Sequence, residues 1–128
     1  MKYRVLAEQL AVCRLAAADR VPAWALQGGF FCLARTPDEF SIVCPEACVP
    51  GGVQTELGWL ALKLEGPFPF SMTGVLASFL QPLAEAQIPI FAISTFDTDY
   101  VLIKHEFVER ACDALATAGH QRIDTAAS

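Results

Sequence analysis

Apolar and polar residues alternate along this chain in two different rhythms. The first half follows a period of two, the mark of strands whose successive side chains point to opposite faces. Residues 9–16 are a predicted strand, with Leu10, Val12 and the stem of Arg14 on one face and Ala11, Cys13 and Leu15 on the other. Residues 30–34 and 40–44 flank the turn-rich segment Arg35-Thr36-Pro37-Asp38-Glu39, so this stretch reads as a hairpin. Gly28-Gly29 marks a bend before it, and Pro45 suits the start of one helical turn reaching Cys48. Val49-Pro50-Gly51-Gly52 then breaks the chain.

The second half mixes both rhythms. Residues 59–64 form a predicted strand that ends at Glu65-Gly66-Pro67. Val75, Leu76, Phe79, Leu80 and Leu83 recur at helical spacing from Thr73 to about Gln87, with Ser71 or Thr73 as the expected cap. Pro82 lies inside that pattern. It has no N–H for the carbonyl of Ser78, so a kink or an early stop is expected there. Two β-type runs, 88–93 and 100–103, flank the polar segment Ser94-Thr95-Phe96-Asp97-Thr98-Asp99 and predict a second hairpin. Phe107, Ala111, Cys112 and Leu115 mark a second helix, stopped by Gly119, and residues 120–123 suit a short last strand. The order is β-α-β-β-α-β. Right-handed crossovers turn that order into a ferredoxin-like α+β sandwich. One sheet face is left for a cover or a partner subunit.

Candidate chemistry gathers at two places. The start of the first helix offers free backbone N–H groups and the positive end of a dipole, which suit a carboxylate. Gly74 lets a ligand come close to the backbone. At the second hairpin tip, Asp97 or Asp99 can pair with an ammonium, and Ser94, Thr95 and Thr98 supply neutral donors and acceptors. Each of these residues also has a plain structural role open to it: aspartates initiate turns, and Ser71 and Thr73 cap helices.

Composition narrows the function. Of 128 residues, 54% are hydrophobic and 18% charged, an apolar excess that points to a homodimer. The net charge of −5, with no basic cluster, argues against nucleic acid as a partner. No apolar run approaches the ~18 residues of a membrane span. The start Met1-Lys2-Tyr3-Arg4 shows no signal-peptide pattern, so a cytoplasmic protein is expected. The five cysteines, Cys13, Cys32, Cys44, Cys48 and Cys112, read as reduced thiols rather than a disulfide framework. Cys44 and Cys48 could begin a metal site, but only His105 and His120 remain to complete four ligands, so no metal or other cofactor is expected.

The runs Leu64-Glu65-Gly66-Pro67, Phe70-Ser71-Met72-Thr73-Gly74-Val75-Leu76-Ala77, Pro82-Leu83-Ala84-Glu85-Ala86 and Ile93-Ser94-Thr95-Phe96-Asp97-Thr98-Asp99-Tyr100-Val101-Leu102 resemble the ACT domain family. The likeness is to the branch of CASTOR arginine sensors and small bacterial ACT proteins, with aspartate kinase regulatory domains further off. It implies an ACT domain over residues 56–124, a shorter, mostly β ACT-like half over 1–55, and a frayed tail at 125–128. It further implies a non-catalytic regulatory protein that binds a free amino acid or similar small molecule, often between ACT units. Carried over residue by residue, the family's site falls on Phe70, Ser71, Met72, Thr73, Gly74 and Val75, and on Ile93, Ser94, Thr95, Thr98 and Asp99. Two other readings stand beside it. One is an interaction module with an empty site that docks an effector protein. The other is a small thiol hydrolase.

Overall fold

The computed structural model describes residues 1–123, so the tail expected at 125–128 lies outside the described residues. The chain forms two compact units, Glu8–Trp59 on one hand and Met1–Ala7 with the described residues from Leu60 on the other. In the Glu8–Trp59 unit, β2 (Leu10–Leu15) pairs antiparallel with β4 (Phe40–Pro45), and β4 with β3 (Cys32–Arg35), so the expected hairpin forms. The start of β5 (Gln54–Leu64) lies along the other edge of β2. Ala11, Cys13, Phe40, Ile42 and Cys44 turn inward with Ala25 as a small core. Gly28 sits at φ +90°, and a Cβ there would lie 2.3 Å from the Pro45 ring, so only glycine makes this bend.

The other unit carries β5, α1 (Val75–Glu85), β6 (Phe91–Ser94), β7 (Asp99–Lys104), α2 (Val108–Thr117) and β8 (Gln121–Arg122), the expected β-α-β-β-α-β order. Tyr3, Leu62, Leu64, Val101 and Ile103 from the strands bury against Phe79, Leu83, Ala111 and Leu115 from the helices. Burying a side chain such as Phe79 or Leu115 contributes roughly 1.5–3 kcal/mol.

Three features depart from the sequence pattern. The first is an additional strand, β1 (Lys2–Val5). It pairs antiparallel with β5 and parallel with β8, and so lies between the first and last strands of the βαββαβ unit. Tyr3 is 1% exposed, so the slot is a core position. Second, α1 starts at Gly74 in the left-handed conformation (φ 76°), and no side chain caps it; neither Ser71 nor Thr73 does. A left-handed residue ahead of the first turn is cheap only for glycine.

Third, Pro82 does not end α1. The helix runs to Glu85, with Pro82 buried in it. The orphaned Ser78 carbonyl instead accepts a hydrogen bond from His120 Nε2 at 3.1 Å. Because a carbonyl can only accept, Nε2 carries the proton. The imidazole packs edge-on against Phe79 at 5.2 Å, and its Nδ1 is buried without a partner. Among the described residues no helix is long and apolar enough to cross a membrane.

Candidate functional site

The β6–β7 hairpin places the polar tip. Ser94 and Asp99 are direct partners, so the tip is Thr95-Phe96-Asp97-Thr98. Thr95 donates its N–H to the Thr98 carbonyl at 2.8 Å, and its hydroxyl reaches the same oxygen at 3.1 Å. The Thr98 hydroxyl is buried and donates to the Leu64 carbonyl at 2.8 Å. The Phe68 N–H donates to the Asp97 carbonyl at 2.8 Å. These last two bonds fasten the tip to the end of β5. Gly66 makes the approach feasible, since a Cβ there would stand 2.8 Å from the Asp97 carbonyl oxygen. The Ser94 hydroxyl donates to the Asp99 carboxylate and so fixes its orientation.

Between this tip and the start of α1 lies a cleft of about 300 Å³. It is lined by Phe70, Met72, Gly74, Val75, Ser94, Thr95, Thr98 and Asp99, eight of the eleven residues predicted from sequence. Ser71, Thr73 and Ile93 do not line it. Sequence reasoning missed Phe68, Pro69, Leu76, Ala77 and Phe96 as lining residues, and Asp97, weighed there as an ammonium partner or a turn residue, was not among the eleven. A signal existed for three of them. Leu76 and Ala77 belong to the same first helical turn as Val75, and Phe96 is a large apolar residue in an otherwise polar tip.

The cleft's charges are arranged asymmetrically. Its lining holds two carboxylates, Asp97 and Asp99, and no cationic side chain. The positive counterpart is backbone: the N–H groups of Val75, Leu76 and Ala77 belong to the first turn of α1, whose donors have no acceptor within the helix. Across the mouth, Phe70 and Phe96 stand 75% and 78% exposed, with their rings edge to face at 5.0 Å. Met72 is exposed beside them in the lining. Exposed apolar groups clustered at a cleft are a common mark of a binding surface.

The cysteines present another chemistry. Burial raises the thiols of Cys13 and Cys32 above the usual range and pushes Cys44 up to about 11. A nucleophile needs the thiolate, which such burial disfavours. Among the described residues, no three His, Cys, Asp or Glu side chains stand close enough to hold a metal ion.

Known proteins bring these observations together. A solved protein from Agrobacterium tumefaciens is 41% identical to this chain, with a TM-score of 0.91 over 96% of this chain and 92% of its own. The ligand-free regulatory subunit of aspartate kinase from Thermus thermophilus has a TM-score of 0.61 at 14% identity, over 87% of this chain and 91% of its own, and so shares the fold. The human protein CASTOR3P is 32% identical over 87 residues, covering 58% of this chain, and the bovine cytosolic arginine sensor for mTORC1 subunit 1 is 24% identical over 98, covering 68%. The chain spans 53% and 30% of the lengths of those two curated relatives. A model for an N-terminal domain matches residues 8–52, and the ACT domain model matches residues 54–117, half of the chain. The chain belongs to the ACT domain family.

Proposed function

We propose that this protein is a non-catalytic regulatory module that binds a free amino acid in the cleft between the α1 start and the β6–β7 tip. One observation carries the reading: first-turn amides and the carboxylates of Asp97 and Asp99 line one cleft of about 300 Å³. The amides suit the ligand's carboxylate, and an aspartate suits its ammonium. The arginine sensor among the relatives supports the ligand class. The thiol hydrolase reading is weaker, because burial keeps Cys13, Cys32 and Cys44 protonated near neutral pH.

A homodimer belongs to the same reading. Phe70, Met72 and Phe96 are exposed around the mouth, where a second copy would cover them and close the cleft. Thermal unfolding in the presence of each of the twenty amino acids tests the proposal. A true ligand at a hundredfold its Kd stabilises by about 2.7 kcal/mol, a shift of several degrees. Asp99→Ala and Ala77→Trp remove the part of that shift that arises in this cleft, by removing a charge partner and by filling the space. No shift with any amino acid returns the protein to the docking-module reading.

A further inference from the structure

The hairpin tip has two sides, and only one faces the cleft described above. On the other is a cleft of about 320 Å³, bounded by Lys63, Glu65, Gly66, Pro67 and Tyr100, with Thr95, Asp97 and Thr98 shared between both. Glu65 is committed to an ion pair with Arg4. Lys63 and Asp97 are different: both line the same small space, yet their side chains pair neither with each other nor with any other described residue. Lys63 is half-buried. Opposite charges left unpaired on two walls of one cleft match the two ends of a zwitterion's head.

We infer that this second cleft binds a free α-amino acid, with Lys63 taking its carboxylate and Asp97 its ammonium. The inference does not require the first cleft to be occupied. It has a consequence for both, because Asp97 lines each of them. One carboxylate bonded to an ammonium on one side is a weaker partner on the other, so occupancy of either cleft opposes occupancy of its neighbour, and the opposition is reciprocal.

The test is an amide-shift titration of the ¹⁵N-labelled full chain with each of the twenty amino acids. The expected result is a saturable shift of the amides of Lys63, Glu65, Gly66 and Tyr100 with at least one of them. Ala77→Trp, which fills only the first cleft, leaves this response in place. Lys63→Gln weakens it about tenfold or more, and Lys63→Arg retains it. Lys63→Met provides a second neutral variant, should the glutamine disturb the strand. Three outcomes overturn the inference: no saturable shift at those four amides, shifts that disappear in Ala77→Trp, or shifts indifferent to every Lys63 variant. A response confined to the amides of Gly74, Val75 and Ala77 supports the first cleft alone and likewise overturns the second.

Discussion

The two helices α1 and α2 pack into one core and differ in how far each relies on its own backbone, since only α1 carries a proline inside. Helix α2 closes itself. Its C-terminus has Gly119 at φ 94°, and the His120 and Gly119 N–H groups return to the carbonyls of Leu115 and Ala116 at 2.9 and 3.0 Å. Helix α1 ends in the same pattern, with the Ile88 and Gln87 N–H groups returning to the carbonyls of Leu83 and Ala84 at 3.0 Å, but it has a proline inside and Gln87 rather than glycine in the left-handed position, at φ 59°. Its gaps are filled from elsewhere in the same unit: His120 serves the Ser78 carbonyl, and Arg110 of α2 donates to the Ala86 carbonyl at 2.6 Å. A helix that lines the first cleft is thus held in part by side chains that a distant part of the sequence provides.

The comparison breaks first at the core. Phe79→Ala is expected to cost about 3–5 kcal/mol and Leu115→Ala about 2–5. Phe79 should lie toward the upper end, because its ring also supports Tyr3 at 5.3 Å and His120 at 5.2 Å. Urea unfolding of both variants checks the order, and a larger loss for Leu115→Ala would deny α1 its dependence on shared contacts.

Removing the repair is the next test. His120→Ala should cost about 1–2 kcal/mol, since it strips the Ser78 carbonyl of its donor. Pro82→Ala restores a backbone N–H at that position. The same His120 change should therefore cost less in the Pro82→Ala background, by about 0.5–1 kcal/mol in a double-mutant cycle. Additive losses would show that the imidazole matters only through its contact with Phe79.

Tyr3 links the two helices, with its ring on Phe79 and its hydroxyl near Cys112. Burial, first of all, and then Cys112 raise its phenol above the usual value of 10.0. The folded state therefore holds this proton more tightly than the unfolded state. Its contribution is complete below pH 10 and is lost as pH rises beyond it. Thermal melts between pH 9 and 11 should fall more steeply for the natural chain than for Tyr3→Phe, and equal slopes would remove Tyr3 from the account.

The smallest effects lie at the helix ends. Gly119→Ala should lose about 1 kcal/mol, and Gln87→Gly should gain up to about 1 kcal/mol, because each position is left-handed. A gain at residue 87 without a loss at residue 119 would mean that the α2 terminus is less self-sufficient than its geometry shows.

The same contrast explains how much could be read from the chain. Helix α2 was legible because Phe107, Ala111, Cys112 and Leu115 and the stop at Gly119 are all local. The continuity of α1 through Pro82 was not, because His120 stands 42 residues from Ser78. Strand β1 was missed because it has four residues, two of them charged, and only its partners make it a strand. At the first cleft, both walls were legible from the helix start and the hairpin. The finer membership was not, although part of it follows from alternation: Ile93 and Ser94 are neighbours on a strand and face opposite sides, so Ser94 lines the cleft and Ile93 does not. The second cleft had no sequence signal, since Lys63 and Asp97 meet only when the tip is fastened to the end of β5.

Strand β1 also imposes an order on how the protein can be assembled during synthesis. It leaves the ribosome well ahead of both its neighbours, β5 and, at Gln121 and Arg122, β8. Residues Glu8–Trp59 form a contiguous unit whose contacts are available early. The strand ahead of them must stay unpaired on its β8 side until Gln121 and Arg122 have been made, which makes its closure a long-range event that follows that unit in the growing chain.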